Sequence, residues 1–533
     1  MILTLNETDL WPGGLMKSMK KFLIILCLVL SFLSLNARTQ NGYLETIDGK
    51  LVLRVKGTHY ERGYAQGYLL GNKINNVMNF HIISIFFTNS SALYNQARSF
   101  FTQNFTIEDQ YITESQAVIA GMTDSGSNLQ LNILGREMDY IDLLMANSIY
   151  ELYEYMQLSY TGYLGCSSLS SWGQSTIGVS GVEGQQIFTR YLDWYLNASV
   201  IQNQVLVIHF PEETGYQKWL NFGVAGLIGS LSSINEHKVG VFVNVGNHHE
   251  HSMGEQFKPL ILSLRNAIER DDRNNDGLNN YQDVASELQA INKFCGYIIH
   301  TAQMLQENEE PVVFEVNHQN GVSIRTKANN QMSPVITGDN LVATNHFRTL
   351  YEPEGCTRYQ KFSDSLMVNP IMTPERSYIV MKSAGYQSNN LQSIQYIPAL
   401  NQVKWATTST SSLALSQMPT EFNLDYLFTF VDSLVGIDSH ETQPQSMLIG
   451  NYPNPFNPST HINFTIKPNE KGRIDIFNVK GQKVKTFPIF SEGSHSVLWE
   501  GKNDQEKSIS SGIYFYRLQT ESVSEVRKMI MMK

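Results

Sequence analysis

The pattern of apolar and polar positions divides the chain into blocks of different secondary structure. Apolar and polar residues alternate over 43–56, which predicts strands, and helical periodicity then continues to about residue 157. From Cys166 onward the chain changes to short runs rich in β-branched and aromatic residues, which again predict strands. The later periodic blocks are helical at 258–270 and 283–294 and strand-like at 311–316, 321–326 and 340–347. Successive blocks of strands and helices predict a layered α+β fold with antiparallel sheets.

The last part of the chain has a pattern of its own. Residues 437–446 are polar, which predicts a linker. Residues 447–533 alternate in short strand-like runs separated by turn residues. Short strands at this spacing predict a small all-β sandwich of the immunoglobulin-like (Ig-like) kind.

The N-terminus has the pattern of an export signal over 1–38. Lysines precede the apolar run 22–35, and the small residue Ala37 follows at a suitable cleavage position. Residues 1–15 have the character of an over-extended start. The apolar run is too short to span a membrane comfortably, and no later stretch approaches about 18 uninterrupted apolar residues. We therefore expect a secreted or surface-attached protein without a stable transmembrane segment.

Composition narrows the class of protein. The chain has 533 residues, 42% hydrophobic and 17% charged, which is typical of packed globular domains and too long for one. A net charge of -10 without a long basic stripe argues against nucleic acid as a partner. Of the four cysteines, Cys27 lies in the predicted signal. Either Cys295 and Cys356 form a bridge that leaves Cys166 free, or both are buried thiols.

Gly165 and Cys166 are the most informative pair for chemistry. A thiol needs a nearby base or a lowered pKa to act as a nucleophile. A free α-amine, with a pKa of about 7.7–8.0, is a suitable base, and cleavage of the Gly165–Cys166 bond would create it on the cysteine itself. Glycine leaves the scissile carbonyl uncrowded, which helps the thiol attack it. We therefore predict that the chain cuts itself at this bond before it acts on another molecule.

Arg190 and Asp193 follow the cysteine at the end of a strand-like run. The guanidinium of Arg190 would stabilise a thiolate, and the carboxylate of Asp193 would orient the amine. Residues three apart do not share one face of a strand, so this pairing predicts a turn between them. The alternative for the two residues is an ordinary ion pair.

Several motifs, in this order, resemble the choloylglycine hydrolase and penicillin acyltransferase family of N-terminal nucleophile (Ntn) hydrolases. The likeness is greatest to the acyltransferase-like branch, whose members carry a prosegment ahead of the cysteine. In place of the asparagine that usually follows the arginine, this chain has Tyr191. The motifs span roughly residues 48–370 and are GTHYERGYAQG (57–67), GCSSLSSWG (165–173), TRYLDW (189–194), SSINEHKVGVFVNVG (232–246), ATNHF (343–347) and CTRYQKF (356–362).

The resemblance implies a four-layer αββα core, with a prosegment over 39–165 and a catalytic region over 166–436. The implied reaction is attack on a linear amide, formation of a thioester acyl-enzyme, and transfer of the acyl group to water or another amine. An acyl-CoA donor would be scarce outside the cell, so hydrolysis is favoured over transfer. The substrate would be a small-molecule amide or acyl compound, and no cofactor is expected for catalysis.

The resemblance also implies roles for individual residues. Cys166 would be the nucleophile, and Asn244 would stabilise the oxyanion of the tetrahedral intermediate. Asn345 and Arg358 would position the amine and the polar groups of the substrate. The implied site residues are Cys166, Arg190, Asp193, Asn244, Asn345 and Arg358.

Other interpretations remain open at this point. Asn244 and Asn345 are also residues that form turns, and Arg358 is also explained as a surface arginine. One rival function is a phospholipase B-like or ceramidase-like lipid hydrolase. Another is a non-catalytic surface binding protein on the same fold.

A calcium-binding loop is predicted between the two later helices, at 272–283. Ca²⁺ takes six to eight oxygen ligands, and the spacing of polar residues in this segment would place them around one ion. A glycine occupies the sharp turn, as in loops of the EF-hand kind. The loop departs from the common pattern because position 12 is aspartate and position 8 is Asn279. A solvated polar loop is the alternative to a structural Ca²⁺ site. The predicted ligands are Asp272, Asn274, Asp276, the carbonyl of Leu278, and Asp283.

The C-terminal block 447–533 also carries a resemblance. It begins with YPNPFNPSTHINFTI and ends in VRKMIMMK, and it resembles the sorting domain of type IX secretion. A sorting domain together with a signal peptide suits two-step export, so the secretion machinery is an expected partner. The alternative is an ordinary Ig-like module for binding or spacing.

Overall fold

The computed structural model forms two compact units, one up to Phe430 and one from Val431, each with its own hydrophobic core. The predicted signal peptide, apart from Arg38, and the predicted linker 437–446 lie outside the described residues. The described residues are 38–156, 165–246, 254–318, 321–329, 333–351, 355–385, 388–431, 447–452, 456–467 and 470–532.

Helices fill much of the range 38–156 and return after later strands. The first helix begins at a capping box, in which the Thr58 hydroxyl accepts the Glu61 N–H and the Thr58 N–H donates to Glu61 Oε2 at 2.7 Å. The helices are α1 His59–Val77, α2 Ser91–Asn104, α3 Asp109–Asp124, α4 Tyr140–Ala146, α5 Ile149–Tyr155, α6 Ala198–Gln202, α7 Leu260–Glu269, α8 Tyr281–Ala290, α9 Thr357–Val368, α10 Pro374–Ala384 and α11 Leu424–Leu427. The other helical segments are a π-helix, Met78–Phe86, and 3₁₀ turns at Gly173–Ser175, Pro398–Leu400 and Ala414–Ser416.

Helices α1 and α3 pack closely because glycines face the partner helix. A Cβ atom added at Gly67 would overlap the backbone of Val118, and one added at Gly121 would overlap the carbonyl of Tyr64. Gly67 of the 57–67 motif therefore serves helix packing, and the capping box sets where the helix begins.

Two large sheets form the centre of the first unit. The strands are β1 Arg38–Thr39, β2 Gly42–Ile47, β3 Lys50–Gly57, β4 Gln130–Leu131, β5 Arg136–Glu137, β6 Gly165–Ser171, β7 Ile187–Asp193, β8 Gln204–Pro211, β9 Trp219–Val224, β10 Ser232–Asn235, β11 Gly240–Val245, β12 Tyr297–Ala302, β13 Val313–Asn317, β14 Gly321–Arg325, β15 Asn340–Ala343, β16 Asn390–Ile397, β17 Gln402–Thr407 and β18 Thr420–Asn423. The first sheet has ten strands in the order β1-β2-β3-β8-β9-β10-β11-β12-β13-β14, and the second has six in the order β15-β6-β7-β16-β17-β18. Pairing is antiparallel as predicted, except that β3 and β8 are parallel.

Burial shows four layers. On one face of the first sheet, Leu53 and Val207 join a core that includes residues of α1, α3, α7 and α8. On its other face, Leu206 packs in a second core with Phe188 and Ile394 of the second sheet. The outer face of the second sheet is covered by α9 and α10, whose residues share a core with strands β6, β7 and β15. The predicted αββα architecture is confirmed.

The second unit is the predicted small β-sandwich. Its strands are β19 Met447–Tyr452, β20 Thr460–Ile466, β21 Arg473–Asn478, β22 Lys483–Thr486, β23 Gly493–Trp499, β24 Gly512–Gln519 and β25 Ser524–Met531. They form a three-stranded sheet, β19-β20-β23, and a four-stranded sheet, β22-β21-β24-β25. Alternate residues of both sheets, such as Ile462 and Ile476, fill one core between them. The prediction of an Ig-like β-sandwich is confirmed.

A buried network of charges ties the predicted prosegment to the rest of the first unit. His59 of α1 lies between two carboxylates, with Nδ1 2.7 Å from Glu213 and Nε2 3.2 Å from Glu269. Arg265 of α7 binds Glu269 at 3.0 Å and Glu114 of α3 at 2.6 Å. Because β3 also pairs with β8, the segment 39–165 is an integral part of both a sheet and this network.

The charges in the network shift one another's pKa values. Burial lowers the pKa of His59, but the carboxylates of Glu269 and Glu213 outweigh burial and raise it above 6.5. Burial raises the pKa of Glu213, but hydrogen bonds from His59 and the charge of Arg62 lower it to about 2. The contribution of protonated His59 to the free energy of unfolding is therefore fully present below pH 6.5, and it is lost as the pH rises through the raised pKa. The contribution of ionised Glu213 to the free energy of unfolding is fully present above pH 4.5, and it is lost as the pH falls toward 2.

The network predicts a pH window for stability. We expect His59→Gln to reduce the free energy of unfolding most at about pH 5.5, and progressively less as the pH rises, because the histidine charge is then lost in the wild type as well. Urea unfolding of the full chain at several pH values measures this. The control is His237→Gln, since His237 is half exposed and lies 3.7 Å from Asp271. A reduction that does not vary with pH would contradict the prediction.

Candidate active site

Cys166 lies on the inner face of β6, between the two sheets. Strands β6 and β7 pair without interruption, with Cys166 opposite Leu192, Ser168 opposite Arg190 and Gly165 opposite Asp193. Because side chains alternate along a strand, Arg190 is on the face of Cys166 and Asp193 is on the opposite face. The predicted turn between Arg190 and Asp193 is wrong, since β7 runs to Asp193.

The irregularity that this sheet does contain lies in the neighbouring strand. The pairing of β16 with β7 shifts register between Asn390 and Gln392, next to Asp193. The shift lets the Asn390 side chain donate from Nδ2 to Asp193 Oδ1 at 3.1 Å. A β-bulge therefore supplies a polar partner at the strand end, where the sequence pattern predicted a turn.

Arg190 is the cation nearest to the thiol. Its side chain is fully buried, and Nη2 lies 3.6 Å from Cys166 Sγ. The guanidinium also donates to Ser232 Oγ of β10 and to the carbonyl of Val243 in β11. The first sheet thus holds the guanidinium in place against a cysteine that belongs to the second sheet.

The surroundings of Cys166 disfavour ionisation of its thiol in the continuous chain. Burial raises the pKa of Cys166, the Arg190 guanidinium lowers it, and the charge of Asp193 raises it again. The net result is a pKa above its ordinary value. A base that becomes available only after cleavage would therefore change the state of this thiol.

Asn345 and Arg358 hold the backbone of the cysteine. The Cys166 N–H donates to Asn345 Oδ1 at 2.9 Å. Arg358 of α9 donates from Nη1 to the Cys166 carbonyl at 2.5 Å and to Ser167 Oγ at 2.9 Å, and from Nη2 to Asn345 Oδ1. Arg358 is buried, so the interpretation of a surface arginine is wrong. A free α-amine at Cys166 would keep the same acceptor, Asn345.

Asn244, on β11 of the first sheet, contacts the face of β6 that carries Cys166. It is fully buried, and Nδ2 lies 3.4 Å from Ser168 Oγ and 3.3 Å from the Thr344 carbonyl. These contacts are longer than an ordinary N–H···O bond. The structure therefore brings all six predicted site residues to one end of β6 and β7.

Apolar side chains surround the remaining side of the thiol. Cys166 shares a cluster with buried Leu192, Val200 and Leu391, and half-buried Trp194 packs against it. The surroundings of the sulfur are therefore apolar on this side.

The predicted prosegment contacts part of this apolar cluster. Trp194 Nε1 donates to His81 Nε2 of the π-helix at 2.9 Å. Burial lowers the pKa of His81 to about 4, which keeps its ring a neutral acceptor. Asn197 and Ser199, at the start of α6, donate to carbonyls of Phe80 at 2.7 Å and Asn76 at 3.1 Å. The segment ahead of Gly165 therefore shapes the site as well as the fold.

Sequence reasoning missed several polar residues that support the site. Ser167, Ser168, Ser232 and Asn390 each contact one of the predicted residues. The signal available for two of them was the serine-rich strand after Cys166, because a buried strand with hydroxyls on both faces needs polar partners on both sides.

The other two described cysteines do not form a bridge. Cys295 and Cys356 are free, buried thiols, so the alternative of a disulfide is wrong. The reason is their position. Cys295 is in the core between the first sheet and its helices, whereas Cys356 is the N-cap residue of α9, in the core on the second sheet. Burial raises the pKa of Cys356, but hydrogen bonds from His346 and the Tyr359 N–H outweigh it and lower the pKa to about 6.

The predicted calcium ligands lie in the loop ahead of α8 and, for Asp283, in the first turn of that helix. Asp272 accepts two backbone N–H groups of the loop, and Asp276 accepts the Leu278 N–H at 2.8 Å. Asn274 Nδ2 donates to Asp276 at 2.8 Å, and Asp283 accepts backbone N–H groups from both ends of the loop. The oxygens are of the kind that calcium takes. Within the described ranges, no group of three or more His, Cys, Asp or Glu side chains is placed to hold a metal, so calcium binding stays a prediction.

The first unit is thus a four-layer αββα protein built around a buried strand cysteine with an adjacent guanidinium. The second unit has a family match, because residues 451–532 match the model described as the secretion system C-terminal sorting domain. The predicted sorting domain is confirmed, and it indicates export through type IX secretion to the cell surface or beyond. Each helix in the described part of the chain is too short or too polar to cross a membrane.

Solved structures give alignments of low similarity. The Caenorhabditis elegans N-acylethanolamine-hydrolyzing acid amidase ortholog aligns at a TM-score of 0.32 and 17% identity, over 49% of this chain and 100% of that one. A conjugated bile acid hydrolase variant from Clostridium perfringens aligns at a TM-score of 0.31 and 10% identity, over 48% of this chain and 93% of that one. Penicillin V acylase from Agrobacterium tumefaciens aligns at a TM-score of 0.27 and 9% identity, over 47% of this chain and 88% of that one. TM-scores this low carry no functional conclusion, and no curated protein matches the chain.

The position of Arg190 predicts its effect on the thiol. Replacing Arg190 by leucine removes the cation that lowers the pKa of Cys166, and we expect that pKa to rise further. The pH dependence of iodoacetamide alkylation at Cys166, followed by mass spectrometry of its peptide, measures the change. Arg190→Lys keeps a charge at the position and should shift the pKa less. Equal pKa values in wild type and Arg190→Leu would show that the guanidinium does not act on the thiol.

Proposed function

We propose that the chain is an exported, self-processing N-terminal-cysteine hydrolase that acts on linear amide bonds. The observation that carries this proposal is the convergence on Cys166 of a buried cation at 3.6 Å and a side-chain acceptor for its backbone nitrogen at 2.9 Å. Both groups are of the kind needed by a thiol nucleophile whose own amine is the base.

Self-processing begins with the thiol of the uncut chain. Cys166 Sγ attacks the Gly165 carbonyl carbon, the peptide C–N bond breaks, and the thiol proton passes to the departing nitrogen. The product is a thioester between Gly165 and Cys166 Sγ. Water then adds to the thioester carbonyl, which releases the Gly165 carboxylate and the thiol and leaves the Cys166 α-amine, already freed in the first step, as a new chain terminus.

Turnover uses the amine that cleavage releases. The amine takes the thiol proton, and Sγ attacks the carbonyl carbon of the substrate amide. Asn244 donates to the developing oxyanion, while Arg190 stabilises the thiolate and Asn345 holds the amine. The amine returns the proton to the leaving nitrogen, and water hydrolyses the thioester. Transfer to another amine would follow the same course with that amine in place of water.

The apolar cluster around Cys166 favours an apolar acyl group on the substrate. This lining is also the observation that supports the second candidate function, a phospholipase B-like or ceramidase-like lipid hydrolase. A panel of N-acyl amides and acyl esters, with chain lengths from acetyl to palmitoyl, separates the two. Cys166-dependent cleavage of amides over esters supports the first proposal, and the reverse preference supports the second.

Cleavage at Gly165–Cys166 is the direct test. We expect intact mass and N-terminal sequencing of the purified protein to show a fragment that begins at Cys166. Cys166→Ala should remain uncut because it lacks the nucleophile. Cys295→Ala is the matched control, since Cys295 is also a buried free thiol and should leave cleavage unchanged. A single uncut chain in the active state, unaffected by Cys166→Ala, would contradict self-processing and favour the non-catalytic binding protein.

We also propose that the loop 272–283 binds a structural Ca²⁺. Addition of Ca²⁺ to the chelator-treated protein should raise the midpoint of thermal unfolding, because the ion would bind the folded loop only. Asp272→Asn should abolish the increase, and Asp124→Asn, a change in an exposed carboxylate away from the loop, should keep it. An unchanged midpoint in the wild type would favour the solvated polar loop.

A further inference from the structure

A chain of buried polar groups runs between the two sheets behind the site. Asn244 Nδ2 lies 3.4 Å from Ser168 Oγ, which lies 2.9 Å from Nδ1 of His300 on β12. The opposite ring nitrogen, Nε2, lies 2.8 Å from Ser170 Oγ, and Gln186 Nε2 donates to the same hydroxyl at 2.6 Å. All of these side chains are fully buried.

The surroundings make these groups costly to bury without partners. The neighbouring core between the sheets is apolar, and the Phe188 ring packs edge-on against the His300 ring at 5.1 Å. An unsatisfied polar group in such a place costs about 1–3 kcal/mol, so the network depends on all its members. Burial lowers the pKa of His300 well below its ordinary value, and Arg325 lowers it further. The ring is therefore a neutral hydrogen-bonding group with one donor and one acceptor nitrogen.

The Asn244 carboxamide has two orientations that differ by a flip of oxygen and nitrogen. Only its nitrogen has contacts that fix the choice, namely Ser168 Oγ and the Thr344 carbonyl. Within the described ranges, the oxygen Oδ1 has no hydrogen-bond partner. Loss of the Ser168 hydroxyl would leave one contact, and a flipped amide would present an acceptor where a donor is required.

We propose that Ser168 and His300 are positioning residues that hold the Asn244 amide with its N–H groups toward the reacting carbonyl. Ser168 lies two residues after Cys166, so its side chain is the next one along the strand face that carries the thiol. His300 fixes that hydroxyl, and Ser170 and Gln186 fix the ring. The contacts of Asn244 at 3.3 and 3.4 Å are long enough for a charged oxygen to displace one of them. This inference rests on the proposed function, in which Asn244 stabilises the oxyanion.

The test compares two serine-to-alanine variants of the same strand. Ser168→Ala removes the hydroxyl that contacts Asn244. Ser171→Ala is the matched control, because Ser171 is equally buried and hydrogen-bonded, but to Asn340 on the other face. The assay is hydrolysis of the lauroyl amide of 7-amino-4-methylcoumarin by the full processed protein. We expect kcat to fall about tenfold or more in Ser168→Ala with little change in KM, since loss of a whole oxyanion donor costs about 10²–10³. The control should stay within about threefold.

A double-mutant cycle shows whether the effect passes through Asn244. In an Asn244→Ala background, the additional loss from Ser168→Ala should disappear, because there is no amide left to position. The pH dependence of kcat/KM should be unchanged, since Ser168 does not act on the proton of the thiol. His300→Leu, which removes both ring nitrogens and leaves the Ser168 hydroxyl without this partner, is the second variant and should reproduce the loss in kcat if Ser168→Ala does not fold.

The outcomes separate this inference from the proposed function. Equal losses in Ser168→Ala and Ser171→Ala, or a Ser168→Ala effect that persists without Asn244, overturn the positioning role while turnover itself remains. Absence of any Cys166-dependent hydrolysis in the unmodified protein overturns both.

Discussion

The geometry of the candidate site depends on the contact between the buried guanidinium of Arg190 and the thiol of Cys166. A cation without solvent needs fixed partners, and Arg190 finds them in the Ser232 hydroxyl and the Val243 carbonyl of the other sheet. The thiol of Cys166, on the neighbouring strand of the same sheet, is a further partner at 3.6 Å. The two sheets must therefore pack in one register for the guanidinium to keep its other partners beside the cysteine, which makes the sandwich of sheets a condition for the site.

The segment ahead of Gly165 is bound to the same architecture. It supplies β3, the parallel neighbour of β8, and it places His59 between carboxylates that belong to the region after the cysteine. It also supplies His81, which holds Trp194 beside the thiol. A cut at Gly165–Cys166 would break one covalent bond and leave these contacts in place. Removing the segment afterwards would expose a sheet edge and unpaired buried charges.

Much of the fold and of the site was predictable from local patterns. Alternation over 43–56 and the periodic blocks after 258 correspond to observed strands and helices, because one face of each element is buried. The motifs also pointed to the six residues that gather at Cys166. The prediction of a turn at Asp193 was wrong. The irregularity beside Asp193 is a bulge in β16, about 200 residues further along the chain, which no pattern local to Asp193 reports.

By itself, the sequence determined the elements, the order of the motifs, the exported tail and the bond that a self-processing thiol would attack. These follow from side-chain periodicity and from residue chemistry, which are local properties of the chain. Only the tertiary structure decided that Arg358 is buried and that Cys295 and Cys356 lie in different layers. It also decided that His300 contacts Ser168, the serine that contacts Asn244. Those facts depend on which strands and helices meet, and that is set by long-range packing of the two sheets.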